Sequence, residues 1–149
     1  MEPSIDNGFC ADHAALLARS FEAQLGRPLH SDVSGKGLYH APFVILSHDV
    51  SEDPVLTYGN LMAQTLWEMG WDRLTTLPSR LTAEAQHRDQ RDAMFQRMRE
   101  YGCVEDYSGI RISATCKRFE IRNAVIWTLH DEAGEKVGEA AMFADYSFL

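Results

Sequence analysis

The sequence predicts an α+β fold: one five-stranded antiparallel sheet with helices on one face, led by an amphipathic N-terminal helix. Three observations carry that expectation. Residues 43–60, FVILSHDVSEDPVLTYGN, read as two short apolar strands around a polar loop that ends at a helix-starting asparagine. Residues 60–101 then repeat apolar side chains at helical spacing, broken at Gly70 and Pro78. From residue 110 the period changes from 3.6 to 2 and keeps that value to about residue 143.

In the first helix Phe9, Leu16, Leu17, Phe21 and Leu25 fall near i, i+4 spacing, Asp12 is placed to cap and Gly26 to stop it. Pro28 bars continuation, and a polar connection containing Gly35 and Gly37 follows. The chain therefore divides into an N-terminal helix with its connection, 1–37, and a sheet-bearing domain, 38–149. The first strand, 43–47, is apolar throughout, as a central strand is. His48, Asp49, Ser51, Glu52, Asp53 and Pro54 make a turn-rich loop before the second strand, 55–58. Asn60 is a good N-cap for a helix to about residue 69, and a short helical segment, 71–77, ends at Pro78. Thr82 begins the longest helix, whose stripe of Met94, Phe95, Met98 and Tyr101 lies in its second half; the first half is polar and expected to be exposed.

In the last third Ile110 and Ile112 alternate with polar neighbours, as do Phe119 and Ile121, and Val125, Trp127 and Leu129 continue on the Phe119 face. Asp131, Glu132, Ala133 and Gly134 form a hairpin turn into a last strand, 136–143.

Composition narrows the function classes. With 149 residues, 45% hydrophobic and 24% charged, the chain has the size and make-up of one globular domain with its own core. Its longest apolar runs span a few residues, against the roughly 20 needed to cross a bilayer, and the first residues lack a basic n-region and apolar h-region. No membrane association is expected, and the expected location is cytoplasmic. Cys10, Cys103 and Cys116 are too scattered for a disulfide framework or a zinc pattern. Fourteen basic against 22 acidic residues give a net charge of -8, which opposes binding to a phosphate backbone, so nucleic acid is not an expected partner. Arg88, Arg91, Arg97 and Arg99 alternate with Asp89, Asp92 and Glu100 as a solvated helix face does.

Several segments share a pattern: LYHAPFVILSHD at 38–49, DP at 53–54, YGN at 58–60, WEMGW at 67–71, LPSRLTAE at 77–84, YSGIRIS at 107–113, RFEI at 118–121 and AVIW at 124–127. Together they resemble the MEKHLA domain, a PAS-like family found in free-standing bacterial proteins and at the C-terminus of plant homeodomain-leucine zipper factors. The family usually carries glycine where this chain has Cys116, and Gly-Gln-Ala-Ala where it has Gly138-Glu139-Ala140-Ala141. The resemblance implies a PAS-like sheet and a sensory or protein-interaction module rather than an enzyme. It brings a possible signalling partner and, by analogy with the plant proteins alone, a role beside a DNA-binding factor.

In such a fold a ligand cavity lies between the sheet and the helices. Trp67, Met94, Met98, Ile121 and Trp127 are expected to wall it, and Tyr58, Arg111 and Asn123 to supply polar contacts. Asn123 is in phase with Phe119, Ile121 and Trp127, so its amide faces the apolar side unless a bulge turns it out. No cofactor can be named. Haem-binding PAS domains use a histidine on the helix that here carries His87; a covalent flavin photosensor needs a cysteine that this region lacks. No catalytic or metal-binding set is recognised, since no two of the six histidines stand at i, i+4 and His48 and Asp49 point to opposite faces of a strand. The alternative is a small cone-like α+β enzyme using the same cavity, with His48, Asp49 or Tyr58 as acid or base. The apolar positions Leu16, Leu17, Phe21 and Leu25 ahead of a complete sheet point to a homodimer formed through the N-terminal helix and the outer sheet face.

Overall fold

The computed structural model describes residues 1–83 and 88–149. In chain order they form α1 (Ala11–Leu25), α2 (Gly35–Tyr39), β1 (Val44–His48), β2 (Leu56–Gly59), α3 (Leu61–Trp67), α4 (Trp71–Leu74), α5 (Arg88–Tyr101), β3 (Cys103–Ile112), β4 (Arg118–His130), β5 (Lys136–Phe143) and β6 (Asp145–Phe148). The polar first half of the long helix lies partly outside the described residues, and so does His87. The strands run antiparallel in the order β2-β1-β5-β4-β3, which puts the apolar β1 at an inner position. A sixth strand adds to the five expected. After a break at Ala144 the chain resumes beside the start of β4 as β6, with Phe148 opposite Phe119 and Asp145 opposite Arg122.

Asn60 ties the entry of the sheet together. Its Oδ1 caps α3 by accepting from the backbone N–H of Ala63 at 3.1 Å and also accepts from that of Ile45 at 3.1 Å. Its Nδ2 donates to the carbonyls of Phe43 at 2.8 Å and Leu38 at 3.2 Å. Every hydrogen-bonding position of a fully buried amide is thus in use.

The sheet is covered on both faces by its own chain. On the inner face α3, α4 and α5 bury Leu66, Trp67, Leu74, Met94 and Met98 against Val44, Leu46, Phe119, Ile121, Ile126 and Phe143. On the outer face α1 buries Ala14, Leu17 and Phe21 against Ile45, Val125, Trp127, Leu129 and Ala140. Polar bonds fix that docking: Trp127 Nε1–H donates to the Leu17 carbonyl at 3.2 Å, the His130 N–H donates to Ser20 Oγ, and the Gln24 amide bonds both backbone groups of Thr128. The stripe expected to serve a dimer is therefore turned onto the chain's own sheet.

One strand supplies both cores because its pleat changes phase. Asp106 in β3 and Asn123 in β4 have left-handed backbone, φ 54° and 55°, and the register shifts at both, so that Val104 faces Ile126, Tyr107 faces Ala124 and Gly109 faces Ile121. Phe119 and Ile121 share the inner face with Ala124 and Ile126, whereas Val125, Trp127 and Leu129 point outward. The unbroken Phe119-to-Leu129 face that simple alternation predicts does not exist.

Asn60→Ala is expected to lower stability by about 3–5 kcal/mol, a lost cap plus three stranded buried backbone groups. Leu17→Ala is expected to cost about 2–5 kcal/mol. Urea unfolding of each variant checks both.

Candidate functional site

A cavity of about 70 Å³ lies under the inner face. Its apolar wall includes Leu46, Leu56, Trp67, Met94, Ile121, Ile126 and Phe143, and its polar residues are Ser47, His48, Ser79, Thr82, Tyr107, Arg111 and Glu139. An outer cleft of about 370 Å³ is lined by Pro54, Arg80, Asp92 and Arg99 and shares His48, Ser79 and Glu139 with the cavity. Those three residues stand where the interior meets the cleft.

Of the expected ligand residues, Trp67, Met94, Arg111 and Ile121 line the cavity together. Met98 is buried in the same core but does not line it. Three others are elsewhere. Trp127 lies under α1 because the bulge at Asn123 reverses the pleat before it. Asn123 itself is exposed, donating to Asp145 at 3.3 Å; the bulge turns it out. Tyr58 is on the outer face of β2, beside His13 and Trp71. The sequence reading missed Tyr107, Glu139, Ser79 and Thr82. Two of these had a signal: Tyr107 is four residues before Arg111, and Glu139 was already a departure from the family's Gln.

The polar groups of the cavity are incompletely matched. Arg111 is only 6% exposed. Its Nη1 donates to the Ile110 carbonyl at 2.8 Å, its Nη2 to Tyr107 Oη at 3.1 Å, and its guanidinium lies 5.5 Å from the Tyr107 ring. A Cβ at Gly109 would stand 2.8 Å from Tyr107 Oη and 3.0 Å from Arg111 Nη1, so the missing side chain leaves the space these groups occupy. Among the described residues no carboxylate pairs with Arg111. Glu139 Oε1 accepts from Lys136 Nζ at 2.8 Å, but among the described residues its buried Oε2 has no partner, and neither has the buried indole N–H of Trp67.

His48 and Asp49 do not form a catalytic pair. Nδ1 of His48 bonds the Asp49 backbone oxygen at 2.8 Å, while the Asp49 carboxylate accepts from the Ser51 hydroxyl and the N–H groups of Ser51 and Val55. Asp49 holds its loop, as its place in a turn implied, and the Ser51 hydroxyl is the main cause that lowers its pKa. Burial pushes the Tyr58 phenol well above its usual range, and its hydroxyl has no partner among the described residues.

Two further groups brace the site. Glu68, in left-handed conformation at the end of α3, accepts from Ser113 Oγ at 2.7 Å and from Thr115, and pairs with Lys117 at 3.2 Å. These bonds, the Thr115 hydroxyl first, draw its carboxyl down to about 2. They hold the β3–β4 hairpin against the helix that carries Trp67, whose carbonyl also receives the Ala114 N–H. On the outer face His13 bonds Ser47 Oγ at 2.8 Å, and burial lowers its imidazole to about 4.

A helix-capped antiparallel sheet in the order 2-1-5-4-3 with a cavity beneath its helices is a fold of the PAS class. The sequence pattern of the MEKHLA domain matches residues 11–148, which takes in α1, and the chain belongs to that family. The fold is similar to a PAS domain of a protein from Colwellia psychrerythraea, with TM-score 0.65 and 10% identity over 76% of this chain and 92% of that one. It is also similar to a light-oxygen-voltage domain studied with a flavin analogue, with TM-score 0.61 and 15% identity over 77% and 83%. The blue-light photoreceptor Vivid gives TM-score 0.57 and 10% identity over 69% and 78%. None of the curated proteins matches the chain.

A flavin does not fit the described cavity. Pockets that take molecules of that size run about 300–1,000 Å³, several times this volume, and no cysteine is among the lining residues. Among the described residues no helix is long and apolar enough to cross a membrane.

Acid is expected to weaken the fold in two windows. His13 favours the neutral form when folded, so its contribution is complete above pH 6.5 and is lost as pH falls toward 4, up to about 3 kcal/mol. Glu68 favours the ionised form, so its contribution is complete above pH 4.5 and is lost toward pH 2. Denaturant unfolding across pH 7 to 3 checks this: His13→Gln should flatten the upper window and Glu68→Gln the lower.

Proposed function

We propose that this chain is a sensory module that holds a small molecule in the cavity between its sheet and α3–α5, and that it carries out no chemistry on it. The carrying observation is the cavity itself, where the Trp67 indole N–H and Glu139 Oε2 are buried without a partner among the described residues and the buried Arg111 has no carboxylate partner there. Buried polar groups are nearly always satisfied, so two such groups beside an unpaired guanidinium favour a polar ligand. The family and its PAS-class fold support the sensory reading. The lack of catalysis is supported by the Asp49 carboxylate being used on its own loop rather than on His48, and by Tyr58 facing away from the cavity. The response is read by a signalling protein in the cytoplasm. Self-association through the α1 stripe is not part of the proposal, since that stripe packs on its own sheet.

Native mass spectrometry of the freshly purified chain is expected to show a small adduct. Ala124→Leu, which fills the cavity floor, should keep the circular dichroism spectrum and lose the adduct. No adduct in the parent chain, together with a more stable Ala124→Leu, would mean that the cavity is only a packing defect.

A further inference from the structure

The geometry points to a small aliphatic monocarboxylate as the ligand, held by Arg111 with Trp67; this rests on the ligand-binding reading above. A guanidinium has five N–H donors and no acceptor, and two donations are recorded for Arg111, to the Ile110 carbonyl and to Tyr107 Oη. Its charge is more than nine-tenths buried without a carboxylate among the described residues. A buried charge without a counter-ion is unfavourable, so the site is completed by an anion from outside. Trp67 supplies the second observation. Its indole N–H is a donor only, it is buried in the wall of the same cavity, and it has no acceptor. The Trp67 N–H and the Arg111 N–H groups beyond its two recorded bonds call for an acceptor, while the charge of Glu139, which lines the same cavity with its Oε2 unpaired, is met by Lys136 at 2.8 Å.

Charge and shape narrow the class. One guanidinium neutralises one negative charge, which favours a monoanion over phosphate, and its planar fork matches a carboxylate in two parallel hydrogen bonds. Leu46, Ile121, Ile126 and Phe143 give the cavity an apolar side that suits an aliphatic tail, while Ser47, His48, Ser79, Thr82, Tyr107 and Glu139 line the rest. At about 70 Å³ the cavity has room for a few water-sized groups, which limits the tail to a few carbons.

The test is a titration of the full chain with sodium butyrate, its uncharged isostere butyramide and sodium phosphate, at constant ionic strength. Thermal unfolding and the indole ¹⁵N–¹H resonance of Trp67, assigned with Trp67→Phe, are the readouts. The expected result is saturable binding of butyrate, at least tenfold tighter than butyramide or phosphate, with a downfield shift of the Trp67 resonance. Arg111→Met is expected to weaken butyrate at least tenfold and leave butyramide unchanged. Arg111→Lys, which keeps the charge but loses the fork, should fall between. Trp67→Phe should weaken butyrate several-fold and keeps the test open if Arg111→Met does not fold. Equal binding of butyrate and butyramide, unchanged butyrate binding in a folded Arg111→Met, or equal binding of phosphate would overturn the carboxylate assignment and leave the ligand-binding reading standing. No binding of any of the three also overturns it, and the presence or absence of a co-purified mass then decides the broader reading separately.

Discussion

The architecture turns on a change of pleat in the middle of β4. A strand presents alternate residues to opposite faces, and a sheet covered on both sides must supply apolar groups to each. β4 does so by inserting Asn123 in left-handed conformation, where β3 answers with Asp106. Asparagine and aspartate are the residue types that tolerate this conformation at least cost among those with side chains. The consequence is spatial. Ile121, Ala124 and Ile126 floor the cavity, and Val125, Trp127 and Leu129 receive α1. Without the extra residue Trp127 would enter the cavity and the α1 face would lose its largest side chain.

That division explains how the sequence was legible and where it stopped being so. The capping role of Asn60 and the apolar inner strand follow from local chemistry, because a cap bonds within three residues and a strand flanked on both edges needs no polar side. Trp67 and Met94 on helices and Ile121 before the bulge at Asn123 line the cavity, as does Arg111 of β3. Trp127 was misplaced because period-2 counting carries an error through every residue beyond a bulge. Asn123 held the clue, since an amide in phase with an apolar face is either bonded inside or a bulge that turns outward. The cover given by α1 was not decidable from its stripe, because the same stripe fits a partner's sheet as well as its own. The polar bonds of Trp127, Gln24 and Ser20 specify which sheet it meets, and they link residues more than a hundred positions apart.

The two faces differ in degree in how they treat polar groups. Between α1 and the sheet, Trp127 Nε1, Ser20 and the Gln24 amide have partners, while the buried Tyr58 hydroxyl has none among the described residues. Under α3 and α5 the indole of Trp67 and one oxygen of Glu139 have none, and Arg111 has no counter-charge among the described residues. A structural core tends to eliminate such groups, since apolar replacements of similar volume are often neutral or stabilising. Two of them, on Trp67 and Glu139, line one cavity, and that is the observation on which the proposed ligand site rests.

The sheet between the two faces is one strand layer thick, and that thinness offers a route for a signal. Ser47 and Ala140 stand opposite each other in β1 and β5, and both border the cavity. The hydroxyl of Ser47 reaches the other way, to His13 of α1 and to Thr57 of β2, and Ala140 packs in the α1 core. Close-packed layers respond to added volume by shifting neighbours rather than compressing. A group entering the cavity therefore presses on the same two backbone positions that support α1 from below. His13 is the sensitive point of that support, because its neutral imidazole is held by burial and one hydrogen bond, and a displaced Ser47 would release it.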